Sequence, residues 1–391
     1  KDFSFVKFSY KNIGKSVINI RIEDPKNKRY EAGDILNLPR NTVETREELR
    51  VSVNQNSDPF SFSVQRRNGA TIFNNSIGGL IFSDQFIQIA TTLPSNNMYG
   101  WGEHVHPNLK HDFTRYTKWG MFSRDEWPDS RGLSTKNLYG VHPFYILVES
   151  NGEAHGVLFL NSNAQDVITT PGPGYIYRTI GGIIDIYFFP GPSPADVVRQ
   201  YTAFIGRPML PPYWSLGYQL CRYGYKSLQD LKDRIESVRS YSIPIEVAYA
   251  DIDYMDRYRD FTIGEKWIGF GDYVRELHQL GMKAIVNVNP AIEVDYDPFR
   301  RAMETNAQFI EWERPDEVMR SIQDRYPLAK NTKIILSIVW PDKHVSFPDF
   351  LDPLNKTNEW WTNEFKLFHN QIPIDGVWID MNEPSAFSTN D

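Results

Sequence analysis

Through the first half of the chain, apolar residues come in short alternating or continuous runs: VINIRI, VSV, FSFSV, FIQIA, PFYILV, GVLFL and IIDIYFF, with Gly, Pro and Asn between them. Alternation places one face of a strand against a core, and many such runs divided by turn residues predict a β-sandwich. GPSPADVVRQYTAFIG then predicts a helix, with Ser193 as N-cap, Pro194 at the first helical position and Gly206 as the stop. Residues 1–206 are therefore expected to form an N-terminal β-sandwich domain with a connector helix.

After Pro211-Pro212 the period changes. WSLGYQLC, IEVAYAD, KAIVNVN and DGVWIDM read as strands, and SLQDLKDRIESVRSY, FGDYVRELHQLG and EWWTNEFKLFHNQ as helices between them. Strand alternating with helix is the mark of a parallel sheet or barrel. The expected fold class is multidomain, β and α/β: a sandwich, then over 207–391 the first four units of a (β/α)₈ barrel with an insertion at about 291–350. The last three strands end in Asp251, Asn289 and Asp380. In such barrels the strand C-termini carry the active site. GVWIDMNEPSAF, Gly376 to Phe387, thus uses an apolar strand to hold a carboxylate at the barrel mouth.

Composition narrows the partners. The 391 residues carry a formal charge of -7, 41% hydrophobic and 23% charged residues, and no long basic run. Nucleic acid and anionic membrane are disfavoured. Ten Trp, 21 Tyr and 24 Phe supply flat apolar faces with polar tips, which suit a sugar ligand. The single cysteine, Cys221, rules out an internal disulfide. Asn74-Asn75-Ser76 and Asn355-Lys356-Thr357 are N-glycosylation patterns, with Asn74 and Asn355 as candidate acceptors. They point to the secretory pathway: extracellular, cell-surface or lysosomal. KDFSFVKFSY lacks the apolar centre of a signal peptide, so a secreted protein's signal is expected upstream of Lys1.

Candidate chemistry follows from the strand ends. Asp380 as an arbitrary strand-end acid would be a cap or an ion-pair partner. Beside Trp340, Trp378 and Met381 it instead suits a glycosidase nucleophile. Asp251, Asp253 and Asp256 lack the glycine turn and terminal Glu of a calcium loop. Strand alternation would set Asp251 and Asp253 on one face, one of them reaching a ligand. His104 and His106 in GEHVH have zinc-like spacing but no third ligand, so no metal and no cofactor is expected. No Gly-x-Ser-x-Gly elbow is present.

GVWIDMNEPSAF resembles the nucleophile signature of glycoside hydrolase family 31, the α-glucosidase family. MYGWGEHVH, KWGMFSRDEWP, HGVLFLNSNAQDV, YRTIGGIIDIYFFPGPSP, PPYWSLGYQLCRYGY, ADIDYMDRYRDFTIGE and VWPDKHVSFPDF extend the resemblance over nearly the whole chain. The intestinal members carry similar LCRYGY and DFTIGE text. The resemblance implies Asp380 as the nucleophile that forms a glycosyl-enzyme, with Trp378, Met381 and Phe387 shaping its pocket. It implies Asp251 on the far hydroxyls of the terminal glucose, Ile252 packed beside it, and Tyr223 and Trp340 lining the same pocket. Asp125, on a loop of the sandwich domain, is implied to reach the sugar across the barrel mouth.

The sequence departs from the family in two ways. The acid/base aspartate of the family lies on a later strand whose motif does not occur here, so the resemblance implies a second polypeptide or a C-terminal half that completes the barrel. A half barrel with open edges is not expected to be stable alone. Where the family has Asp before Pro-Ala-Ile, this chain has Asn289, with Asn287 two residues before it. The expected activity is retaining exo-α-glucosidase action on maltose-like oligosaccharides. α-Xylosidase or α-glucan lyase activity, and a catalytically silent carbohydrate-binding or accessory subunit, are the competing readings.

Overall fold

A computed structural model describes residues 3, 5–32, 36–56, 58–128 and 135–391. The chain divides into two compact units, Lys1–Pro208 and Met209–Asp391.

The first unit consists of strands β1 (Lys7–Ile13), β2 (Val17–Glu23), β3 (Leu49–Asn54), β4 (Ser61–Arg66), β5 (Thr71–Asn74), β6 (Ile81–Phe82), β7 (Ile87–Thr92), β8 (Asn97–His104), β9 (Thr117–Met121), β10 (Asn137–Val148), β11 (Ala154–Phe159), β12 (Gln165–Thr170), β13 (Gly174–Thr179) and β14 (Ile184–Phe189), then helix α1 (Pro194–Ile205). One antiparallel sheet runs β1-β2-β14-β11-β10-β8, and the other β3-β4-β5-β7-β13-β12-β9, with β6 paired to β7. The alternation in VINIRI explains the layering. Ile18, Ile20 and Ile22 enter one core with Phe62, Val64 and Ile89 of the facing sheet. Each such buried side chain contributes about 1.5–3 kcal/mol. Asn19, on the other face of β2, is buried and donates to Asp185 Oδ1 of β14 at 2.7 Å.

α1 covers that other face, placing Val197, Tyr201 and Phe204 against Phe144, Tyr187 and Phe189. Its start is a reciprocal cap: Ser193 Oγ accepts from the Asp196 N–H at 3.1 Å while the Asp196 carboxylate accepts from the Ser193 N–H at 3.3 Å. Gly206 ends the helix at φ +102°, a conformation L-residues avoid.

The second unit holds β15 (Gln219–Leu220), α2 (Leu228–Ser240), β16 (Val247–Ala250), α3 (Phe270–Gln279), β17 (Lys283–Val288), β18 (Ile292–Glu293), α4 (Asp297–Glu304), α5 (Arg320–Gln323), β19 (Ser337–Ile338), β20 (Val345–Ser346), α6 (Lys356–His369), β21 (Gly376–Ile379) and β22 (Ser388–Thr389). β15-β16-β17-β21 form a parallel sheet in chain order. Parallel neighbours require crossovers, which α2, α3 and, beyond the insertion, α6 supply. Ala248, Ala250, Ala284, Val286 and Val288 pack with Leu231, Val274, Leu277 and Phe368 of these helices. Ile285 and Asn287 alternate onto the opposite face. There Gly376 leaves room for Ile285, since a Cβ at 376 would lie 3.2 Å from Ile285 Cγ1.

Two expectations are corrected. WSLGYQLC is not one strand: Tyr213–Leu216 forms a 3₁₀ turn, with Ser215 N–H donating to Pro212 O at 3.0 Å, and only Gln219–Leu220 pairs. Asp251 and Asp253 do not alternate along a strand. The chain leaves β16 at Ala250, and Ile252–Tyr254 is a 3₁₀ turn capped by Asp251.

The long segment after β17 has structure of its own. β18, β20, β19 and β22 form a small sheet in that order. β22 follows the Asp380 segment in sequence and pairs with β19, Ser388 opposite Ile338. Non-local pairing therefore ties the insertion to the chain beyond β21.

Candidate active site

Asp380 immediately follows β21, whose register with β17 sets Val288 opposite Ile379 and Asn287 opposite Trp378. Two donors hold its carboxylate. Asn287 Nδ2 donates to Oδ2 at 3.0 Å, and the Met381 N–H donates to Oδ1 at 2.9 Å. Met381 has φ +56°, so the chain turns sharply directly after the acid.

That turn buries the Met381 side chain with Ala291, Val339, Val345 and Phe347. Trp340 Nε1 donates to Met381 Sδ at 3.1 Å. The Trp340 ring meets Phe387 edge-on at 4.9 Å and lies 6.5 Å from Tyr223. Trp340, Met381, Phe387 and Tyr223 thus form one aromatic and thioether group, joined by the β19–β22 pairing. Phe387 and Tyr223 are more than half exposed, so their faces are open to a ligand. Trp378 lies 6.3 Å from the ring of Tyr249, whose hydroxyl donates to Gln219 Oε1 at 2.7 Å.

Asp251 ends β16 and accepts from the Ile252 N–H at 2.7 Å. Burial pushes its carboxyl above the usual range, the Ile252 N–H opposes this, and the charges of Asp253 and Asp380 add to the rise. Asp251 is therefore an electrostatic neighbour of Asp380. Asp253 accepts from the Gly224 N–H at 2.8 Å and supports the loop rather than sharing a ligand-facing side with Asp251. Ile252 is only 2% exposed and packs in the helix-facing core, so it supports Asp251 from beneath and offers no surface to a ligand.

Two neighbours of the site escaped the sequence reading. Asp260, 1% exposed, accepts from the Asn289 N–H at 2.6 Å. Burial drives its carboxyl far above the ordinary range, with Asp380 contributing. Tyr249 is the other, and neither has a local signal beyond its residue type. Asn289, singled out for its lost charge, binds Asp260 through its backbone; the amide that reaches Asp380 is that of Asn287.

Asp125 belongs to the first unit, in the segment after β9. His104 places its ring nitrogens against the carbonyls of Trp101, at 2.8 Å, and Gly120, and His106 stacks on Trp119 at 4.3 Å. These are packing roles, and among the described residues no His, Cys, Asp and Glu group is arranged to hold a metal. Asn74 ends β5, and exposed Asn355 occupies the position just before α6 without a capping hydrogen bond from its side chain.

A carboxylate fixed by two donors, a second acid beside it and an aromatic wall are the parts needed to attack a sugar C1 and grip its hydroxyls. Comparison with known proteins is consistent with that chemistry. Residues 208–391 match the glycosyl hydrolases family 31 TIM-barrel domain, and residues 15–167 the glycosyl hydrolase 31 N-terminal galactose mutarotase-like domain. The chain belongs to glycoside hydrolase family 31.

It is 41% identical over 383 residues to intestinal sucrase-isomaltase of Oryctolagus cuniculus, spanning 95% of this chain and 20% of that protein. It is 40% identical over 380 residues to lysosomal alpha-glucosidase of Mus musculus, 95% of this chain and 37% of that protein. Among solved structures, the family 31 dextranase of Flavobacterium johnsoniae complexed with glucose superposes with a TM-score of 0.75 at 20% identity, covering 98% of this chain and 46% of the dextranase. This chain therefore spans less than half the length of each of these relatives.

Proposed function

We propose that the protein is a retaining exo-α-glucosidase that releases terminal glucose from maltose-like oligosaccharides, with Asp380 as nucleophile. The observation that carries this is the Asp380 carboxylate at a strand C-terminus, held by Asn287 and the Met381 N–H beside Asp251. In the first step an Asp380 oxygen bonds to C1 while the C1–O bond to the departing sugar breaks and an acid protonates that oxygen. In the second step the same group, now a base, takes a proton from water. The water oxygen bonds to C1 and the ester to Asp380 breaks. Asp251 grips the far hydroxyls, and Trp340, Trp378, Met381, Phe387 and Tyr223 wall the pocket.

The acid/base belongs, in this proposal, to further barrel strands. The open side of β21 supports this: Val377 is 37% and Ile379 66% exposed, and among the described residues β21 pairs only with β17. Apolar side chains and an unpaired strand edge of this kind call for cover. The two sequons, Asn74 and Asn355, fit a secretory, cell-surface or lysosomal setting.

The test has two arms on the full-length protein: labelling by a 5-fluoro glucosyl fluoride with peptide mapping, and NMR of the glucose first released from an aryl α-glucoside. Label on Asp380 and initial release of α-glucose are expected. Label on Glu383, or initial β-glucose, refutes the assignment.

A further inference from the structure

Asn287 sits where a packed barrel ordinarily places a bulky branched residue. It is on the central strand β17, on the same face as Ile285, and is completely buried. Barrel interiors are filled by Val, Ile and Leu layers, and a buried amide is unfavourable unless its polar atoms are paired. Only part of the Asn287 amide is paired. Nδ2 donates to Asp380 Oδ2 at 3.0 Å, while Oδ1 has no partner among the described residues. A leucine would fill much the same space without the orphaned oxygen. Stability therefore does not account for the residue: its carbonyl accepts from the Tyr254 hydroxyl at 2.9 Å, as any residue's could, and among the described residues the one hydrogen bond of its side chain is to the acid at the strand tip.

We infer that Asn287 is a positioning residue for the Asp380 carboxylate, holding Oδ2 in place through its amide. The inference rests on Asp380 being the nucleophile. An amide donor to a carboxylate is charge-assisted and strongest when the acid is ionised. It weakens when an Asp380 oxygen shares its electron pair with C1 and the carboxylate becomes a neutral ester, the electrons of the broken bond leaving with the departing oxygen, and strengthens again as water frees the acid. Asn287 thus aids the second step more than the first.

The acids facing Asp380 act in the opposite sense. Asp251, from the end of β16, with Asp253 next to it, and buried Asp260, from the loop before α3, each oppose its charge where they are ionised, although burial raises all three carboxyls above the ordinary range. Asn287 and the Met381 N–H are the donors that offset this crowding.

The test compares Asn287→Leu and Asn287→Asp in the full-length protein. The rate of Asp380 labelling by a 5-fluoro glucosyl fluoride is followed against pH, with unfolding temperature as a control. Removing the donor should move the acidic limb of the labelling profile up by roughly one pH unit in the leucine variant, and further in the aspartate variant, which adds a like charge. The labelled enzyme should also persist several-fold longer, because the returning charge lacks its donor, while the leucine variant unfolds no earlier than the parent. A folded variant whose acidic limb and label lifetime match the parent overturns the inference, even with Asp380 labelled. Label on another residue in the parent instead overturns the nucleophile assignment itself. If the leucine variant does not fold, Asn287→Ala, which removes the donor without adding a charge, gives the same readout.

Discussion

Replacing Asp251 separates a transition-state role from a structural one. Among the described residues its carboxylate accepts one hydrogen bond, from the Ile252 N–H at 2.7 Å, leaving acceptor capacity for sugar hydroxyls. Hydrogen bonds to a charged group are worth about 1.5–3 kcal/mol each. Two of them, strengthened as the sugar ring flattens, contribute about 3–6 kcal/mol, or roughly 10²–10⁴ in kcat/KM. The folding cost should be small. Asp251→Asn keeps a cap acceptor and relieves repulsion from Asp253 and Asp380. Asp251→Ala loses the cap, worth about 1 kcal/mol, but also removes a crowded charge. Both variants of the full-length protein should therefore unfold near the parent temperature while kcat and kcat/KM on maltose fall together. An increase in KM alone, with kcat unchanged, would show uniform binding and refute the argument.

The remaining predictions concern assembly and stability. A polypeptide of residues 1–391 should release no glucose from maltose; co-expression with the remaining barrel strands should restore both turnover and cooperative unfolding, and turnover by 1–391 alone would refute the proposed division of the catalytic pair. In the first unit, Arg66 is 1% exposed and bonded to Glu149 at 2.6 Å and to the carbonyls of Ala154 and Pro190, both at 2.9 Å. Arg66→Leu should cost about 3–5 kcal/mol, because it leaves that buried carboxylate without its cation; an unchanged urea midpoint would refute this. Burial raises the Glu149 carboxyl, but hydrogen bonds from His155 and Arg66 bring it down to about 2 from 4.5. Its contribution is thus complete above pH 4.5 and lost as pH falls toward 2, and the loss should be shallower in Arg66→Leu, as acid titration of unfolding would show.

Local patterning determined a large part of this molecule. The 2-residue period of VINIRI and the turns around it specify a sandwich, because alternation only suits a half-buried strand. Ser193, Pro194 and Gly206 specify both ends of α1, because capping is a contact among residues three apart. The alternation of strand and helix after Pro212 specifies a parallel sheet, and the apolar run before Asp380 puts that acid at a strand tip. WSLGYQLC misled because apolar content does not distinguish a 3₁₀ turn from a strand. Asp251 and Asp253 misled because β16 ends at Ala250, before the stretch to Asp253 over which the alternation would have to run.

What only the tertiary structure decided are the contacts between distant segments. Asn287 and Asp380 stand 93 positions apart, and their hydrogen bond exists because β17 and β21 pair in one register. Trp340 meets Met381 across 41 positions because β22 pairs with β19. Asp260 reads in sequence as one more loop acid, and only its burial beneath the Asn289 backbone makes it part of the site. Spacing along a chain encodes the faces of single elements; which faces meet depends on sheet register and loop closure, which arise from packing summed over the whole unit.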